Sequence, residues 1–241
     1  MTRHILVTGS TRGIGAATVA AIRSHGRIVG HGTTSTGTDV VAADLSLPGS
    51  GKHLWEAALH QLDGRIDVLI NNAGIYNPAP LAGSDTDWAT EWARSLQVNL
   101  QAPADLCRAA IAHFRTRPAN SNGERGRIIN VASRASYRGD GPDHMNYAAA
   151  KAGLVGISKT IARAHAGEGI YCFTVTPGFV MTGMAEDYLS SRGGDKLLAD
   201  IPLGRVAAPA EVANAIVYLA VFAPASMTGA VIDINGASFV R

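Results

Sequence analysis

The 241-residue chain is 46% hydrophobic with a net charge of +2, enough apolar mass for a large core and too little positive charge to imply a nucleic-acid partner. Its two cysteines, Cys107 and Cys172, make neither a disulfide framework nor a metal site and read as core packing. Met1 leads straight into the apolar run His4–Val7, without the segments of a signal peptide, and no apolar run reaches transmembrane length; a soluble, cytoplasmic protein with no membrane partner is expected.

In chain order, Ile5–Thr8 reads as a strand, followed by a glycine-rich turn and a helix over Gly13–His25. Arg27–Gly30 and Val40–Ala43 read as strands, then Lys52–Leu62 as a helix and Ile66–Ile70 as a strand. Asp85–Phe114 is mostly helical, with a kink expected at Pro103. Arg115, Arg117, Arg125 and Arg127 are interleaved with Pro118, Asn120, Ser121, Asn122 and Gly123, and the stretch reads as a solvated loop. Arg127–Val131 is a strand, Met145–Ala166 a long helix and Ile170–Val175 another strand; a helix over Ala210–Phe222 and a strand at Ala230–Ile234 close the chain. The strands are near-continuous runs of Val, Ile and Leu, which suits burial on both faces of a parallel sheet. The expectation is one doubly wound α/β domain over residues 1–241, with helices on both faces.

Three motifs carry chemistry. The first strand ends in Thr8-Gly9-Ser10-Thr11-Arg12-Gly13-Ile14-Gly15 and enters a helix. Gly9, Gly13 and Gly15 leave backbone N–H groups at that helix start open to a phosphate. The second, Asn71-Asn72-Ala73-Gly74, follows a strand and would by itself be a turn. In the third, Ser133 follows the strand Arg127–Val131, and Tyr147 and Lys151 stand at i and i+4 on the next helix, so phenol and ammonium share one face. A free tyrosine, with a pKa of about 10, is a poor acid/base at neutral pH. A cation about 5 Å away would favour the phenolate by roughly 3 kcal/mol, about two pKa units, towards the working range.

Together these motifs closely resemble the short-chain dehydrogenase/reductase family, and the resemblance runs over essentially the whole chain. It implies a Rossmann-type fold and an oxidoreductase that moves hydride between a nicotinamide dinucleotide and a small carbonyl or alcohol. Carried over position by position, it implies that Tyr147 exchanges the proton with the substrate oxygen and Ser133 hydrogen-bonds that oxygen. Lys151 would bind the nicotinamide ribose and lower the Tyr147 pKa, and Asn99, in Gln97-Val98-Asn99-Leu100, would support Lys151 through water. Gly9, Thr11, Arg12, Gly13, Ile14 and Gly15 would hold the pyrophosphate end, and Asn72, Ala73 and Gly74 the wall beside adenine and ribose. Asp44 and Leu45 match the pair beside adenine; Pro177, Gly178, Val180 and Thr182 match the segment that meets nicotinamide.

Three departures from the family pattern follow from the residues. Between Gly32 and Val40 only Thr, Ser, Gly and Asp occur, so the usual helix after the second strand has nearly vanished. The connection from Phe114 to Gly126 is long, and the Ser133–Tyr147 segment is one residue longer than the commonest spacing and unusually polar, with Arg134, Arg138, Asp140, Asp143 and His144 expected to border the substrate. No acid precedes Asp39 past the second strand, where NAD-preferring folds hold the ribose hydroxyls. Arg12 in the glycine loop, with Thr33 or Thr34, could instead meet a 2′-phosphate, so NADP is expected over NAD. The overall pattern is nearest 3-oxoacyl-carrier-protein reductase, although His165-Ala166-Gly167-Glu168-Gly169 lacks the basic residues carrier-protein readers present. A dinucleotide sensor without catalysis would lose Ser, Tyr or Lys; all are present. The helix Met145–Ala166 is apolar on more than one face and needs another subunit besides the sheet to cover it; the resemblance implies a homodimer or homotetramer through this helix and Asp85–Phe114.

Overall fold

The computed structural model describes residues 2–34, 37–182 and 194–241. Seven strands form one sheet: β1 (Arg3–Val7), β2 (Gly26–Gly32), β3 (Val40–Ala42), β4 (Val68–Asn71), β5 (Gly126–Val131), β6 (Ile170–Pro177) and β7 (Val231–Ile234). All pairings are parallel, in the order β3-β2-β1-β4-β5-β6-β7. Every residue of β4, β5 and β6 is buried, as the continuous apolar runs require. Alternate residues feed two cores. Leu6, Leu69, Ile128 and Cys172 face one, while Ile5, Val7, Val68, Ile70, Ile129 and Phe173 face the other.

Helices cover both faces. α1 (Gly13–Ile22) and α8 (Pro209–Val217) lie on the second core; α2 (Ser50–Gln61), α4 (Ala102–Arg115) and α6 (Met145–His165) lie on the first. α3 (Asp85–Leu96), the four-residue α5 (Ala135–Arg138) and α7 (Gly194–Ala199) complete the described set. The chain leaves β1 for β2 and β3 on one side and returns to β4 on the other, so a crevice opens beyond the carboxyl ends of β1 and β4. In doubly wound sheets this reversal of strand order is where ligands bind.

The structure bears on four of these expectations. The break in the long helix is a widened π-helical turn at Gln97–Gln101, immediately before Pro103, whose missing N–H removes one bond of the helical ladder there. Arg127 is not in a solvated loop: it is buried at 5% exposure and donates through Nε and Nη2 to the buried Glu124, which also takes Arg3. Burying two charges is tolerable only when they pair this closely. The other three arginines of that stretch are also engaged within the chain, Arg115 with Glu168, Arg117 with Asp67 and Arg125 with the Arg117 carbonyl. Two short helices, α5 and α7, were not expected; each is too short to show a hydrophobic period. Between β2 and β3 no helix occurs among the described residues.

Candidate active site

The crevice is built from the ends of β1 and β4. Thr8 Oγ1 accepts from the backbone N–H groups of Asn72 and Ala73 at 3.0 and 2.9 Å, and Asn72 Nδ2 donates to the carbonyls of Thr8 and Gly9, both at 3.0 Å. These bonds draw the glycine turn against Asn72-Ala73. A Cβ at Gly9 would stand 2.8 Å from Ala73 Cα, and Gly9 has φ +62°, so glycine is required there twice over. Gly15 lies as tightly beneath the Gly9 carbonyl and Asn72 Nδ2. α1 begins at Gly13 with no side-chain cap from Arg12, which leaves its first N–H groups facing the crevice. A cradle without side chains, ending in a helix N-terminus, fits the pyrophosphate of a dinucleotide.

The Ser133, Tyr147 and Lys151 side chains come together beyond β5. Asn146, wholly buried near the start of α6, accepts from the Tyr147 N–H at 2.8 Å and donates to the Asn77 and Glu91 carbonyls, which ties this turn to its neighbours. Lys151, one turn on, is 4% exposed and donates to the Val131 carbonyl at 2.9 Å. Ser133 follows the same strand; its hydroxyl accepts from the Ala135 N–H at 3.1 Å and lies near enough to the Tyr147 phenol to ease its ionisation. Lys151 Nζ stands 5.8 Å from the Tyr147 ring centre. Asn99 lies in the π-helical turn and pairs in both directions with Ile75, donating to its carbonyl at 3.0 Å and accepting from its N–H at 3.1 Å. Gly74 separates Asn99 from Lys151: a Cβ there would meet Asn99 Oδ1 at 2.9 Å and Lys151 Nζ at 3.3 Å.

The electrostatics correct one expectation. Lys151 does not bring Tyr147 into the neutral range in this arrangement. Burial pushes the phenol up to about 12, opposed by the Ser133 hydrogen bond and assisted by the nearby Asp140 charge. Burial likewise pushes Lys151 down to about 8. Desolvation outweighs the attraction because the ammonium is turned to the Val131 carbonyl rather than to the phenol oxygen.

Several expected cofactor residues offer backbone rather than side chain. Leu45 and Val180 belong to the two cores, and Ile14 packs against one of them. Asp44 is exposed, and the Ser46 side chain, together with the Ser46 N–H at 2.9 Å, holds its carboxyl below the usual range. Thr11, Arg12, Thr33 and Thr34 are all exposed at the mouth, and a Cβ on Gly32 would meet Thr11 and the Thr34 carbonyl. Arg12 makes no ion pair among the described residues. Thr182 reaches across to Gly13, where a Cβ would lie 3.1 Å from its Cγ2. Gly178 is pinned under β7 by its N–H to the Ile234 carbonyl, and Pro177 accepts from the Arg134 N–H at 2.9 Å, so this segment runs alongside the Ser133 loop.

The polar loop divides. Asp140 and His144 flank Tyr147 through a residue sequence reasoning missed, Tyr76: its ring stacks on His144 at 3.9 Å, meets the Tyr147 ring edge-on at 4.9 Å and its hydroxyl donates to Asp140. Two positions past Asn71-Asn72-Ala73-Gly74, Tyr76 could have been suspected from that spacing. Arg134 instead stacks on Phe179 at 4.6 Å and shares Asp200 with Arg138. The Asp143 carbonyl takes the Ala79 N–H, tying the loop to the β4 side.

Residues 9–237 match the family model described as enoyl-(acyl carrier protein) reductase. The chain is 34% identical to 3-oxoacyl-[acyl-carrier-protein] reductase FabG of Haemophilus influenzae, covering 98% of this chain and 97% of that protein. It is 36% identical to nodulation protein G of Rhizobium sp. strain N33, over 97% of this chain and 96% of that protein. A solved chain described as an NAD(P)-dependent gluconate 5-dehydrogenase from Beutenbergia cavernae, with bound NADP at low occupancy, superposes with a TM-score of 0.84 at 28% identity, covering 98% of this chain and 96% of that one.

The buried Lys151 yields a stability prediction. Its folded pKa, about 8 against 10.5 unfolded, means the unfolded chain holds more protons between those values, so stability rises with pH through that window. Below pH 8 the buried ammonium costs up to about 3 kcal/mol. Lys151→Met should therefore be more stable than wild type at pH 7, by about 1–3 kcal/mol, and lose the advantage as pH climbs towards 10. Denaturant unfolding at the two pH values reads it; a variant less stable at pH 7 would show that the Val131 bond outweighs desolvation.

Proposed function

Because the chain belongs to the short-chain dehydrogenase/reductase family, we propose that it interconverts a ketone and a secondary alcohol, with Tyr147 exchanging the proton and NADP(H) as the preferred cofactor. The observation that carries this reading is the cluster: the Ser133 hydroxyl and the Tyr147 phenol lie together, with Lys151 Nζ 5.8 Å from the Tyr147 ring centre. Two hydroxyls converging on one point suit an oxygen that gains or loses a proton, whereas reduction of a carbon–carbon double bond would need a proton delivered to carbon. The FabG relatives are named for a 3-oxoacyl substrate, which supports carbonyl chemistry.

A bound nicotinamide supplies the hydride. Ser133 orients the ketone oxygen, and Tyr147 hands it the proton. With its pKa raised to about 12, Tyr147 holds its proton throughout the neutral range. Lys151, a cation below pH 8, would hold the nicotinamide ribose of the bound cofactor. Asn99 acts by position: its paired amide holds Ile75, and so Gly74, against Lys151. Gly9–Gly15 and the Asn72–Gly74 wall would hold the dinucleotide, with Pro177, Gly178, Val180 and Thr182 on its nicotinamide side. We read residues 1–241 as one such domain. Tyr76, Asp140 and His144 border the substrate and favour one with polar substituents; a 3-oxoacyl thioester is the leading class by resemblance.

Tyr147→Phe should lower turnover by about 10²- to 10⁴-fold while leaving cofactor affinity nearly intact. Steady-state kinetics and a cofactor titration check both halves; a variant keeping more than about a tenth of wild-type turnover would remove Tyr147 from the role.

The bound NADP of the Beutenbergia chain and the exposed, unpaired Arg12 beside Thr33 and Thr34 support the choice of NADP. A charged hydrogen bond contributes roughly 1.5–3 kcal/mol, and this open, wet mouth points to the lower end, about a tenfold preference for NADPH. Arg12→Ala should erase most of that preference and leave kcat/KM with NADH unchanged. Equal losses with both cofactors would make Arg12 a support of the loop instead.

Assembly follows from α4 and α6. Leu154, Val155 and Ile161 turn inward, whereas Ala149, Ala152 and Gly156 leave a small-residue surface exposed on α6. Beside it a groove of about 460 Å³ runs between the helices, lined by Cys107, Ile111, Ile157 and Ile161. We propose that a second copy covers this face as a homodimer or homotetramer. Sedimentation at micromolar concentration should show at least a dimer; a stable monomer would contradict it.

A further inference from the structure

His31 sits at the end of β2 at 4% exposure and takes no part in the chemistry above. Its ring spans two elements. The Gly9 N–H donates to Nδ1 at 3.1 Å, and Nε2 meets the Ala43 carbonyl at 2.9 Å. Since Gly9 brings the hydrogen, Nδ1 must be bare; since Ala43 offers only an acceptor, Nε2 must carry the proton. The ring is therefore the neutral Nε2–H tautomer. Around it Ser10 exchanges bonds with the His31 backbone in both directions, so the imidazole is wedged immediately under the first glycine of the turn. A second proton would set an N–H against the Gly9 N–H, both donors and neither with an acceptor.

We propose that His31 is a positioning residue of the dinucleotide site: its neutral ring holds the glycine turn in its binding shape, and its protonation releases the turn and weakens cofactor binding. The proposal rests on the reading that Gly9–Gly15 cradles the dinucleotide. Among the described residues no charged group opposes or assists the protonation. From the glycine turn the ring meets Gly9 and from β3 it meets Ala43; the charged residues nearest these in sequence, Arg12 and Asp44, are both exposed, and burial is the main influence, holding the imidazole below its ordinary 6.5. The sign follows: cofactor affinity is full above that range and falls as pH drops below it.

The test is a titration of the purified full chain with NADP⁺, followed by tryptophan quenching or calorimetry from pH 8 to 5, for wild type, His31→Asn and His31→Leu. The 2′-phosphate of the probe titrates in this window for all three proteins alike, so the ratio of wild type to variant isolates His31. Asn keeps an acceptor for Gly9 and cannot be protonated. Relative to His31→Asn, wild type should lose affinity about tenfold per pH unit once below the His31 pKa; His31→Leu should bind weakly at every pH. Parallel pH profiles for wild type and His31→Asn would overturn the proposal. Absence of binding to wild type at any pH would overturn the dinucleotide reading itself. Should a variant fail to fold, nitrogen NMR of the wild-type histidines decides: His31 should carry its proton on Nε2 at pH 7, and a ring already doubly protonated there would overturn the proposal.

Discussion

Thr8 and Asn72 knot the ends of β1 and β4 together, and the geometry of the crevice depends on that knot. One hydroxyl takes two backbone N–H groups and one amide feeds two carbonyls, so four otherwise orphaned backbone groups at the two strand ends are satisfied by two side chains. With them in place Gly9 lies against Ala73, and α1 starts where its free N–H groups face the crevice. The same tetrapeptide then carries Gly74 between Asn99 and Lys151. The cofactor cradle and the proton-handling side chains thus share one fixed point, and a displacement at Asn72 would be felt in both.

The site is assembled from groups the scaffold holds out of their comfort. Tyr147 is harder to ionise than in water, Lys151 harder to protonate, and His31 is kept neutral under the glycine turn. All three shifts come first from burial. Perturbed groups gathered at one crevice are the usual mark of a functional site. Elsewhere the buried charges are paired, as Arg127, Glu124 and Arg3 are. Among the described residues the Lys151 ammonium donates to a carbonyl and pairs with no carboxylate.

Much of this was legible in the residues. Unbroken Val, Ile and Leu runs gave the parallel sheet because both faces of those strands are covered, and the Ser133, Tyr147, Lys151 spacing brought the three side chains together as a helix demands. What was not legible depended on tertiary partners. The spacing of Tyr147 and Lys151 says nothing about where the ammonium points, and it points at Val131, so the phenol rises instead of falling. Leu45 and Val180 sit in cofactor motifs by sequence, yet pack into the cores because their strand-end positions turn inward. Arg127 looked solvated from its neighbours in sequence; its partner Glu124 becomes buried with it only when β5 enters the sheet. His31 carried no signal at all, since a histidine at a strand end acquires meaning only from the turn above it.

The most direct test of the central claim follows one hydrogen atom. Reduction of a ketone panel, including 3-oxoacyl thioesters, with nicotinamide cofactor carrying deuterium at C4 should place deuterium on the carbinol carbon and a solvent-derived proton on oxygen, read by mass spectrometry and NMR of the product. Deuterium found on a saturated carbon after reduction of an enoyl thioester, with ketones left untouched, would contradict the account.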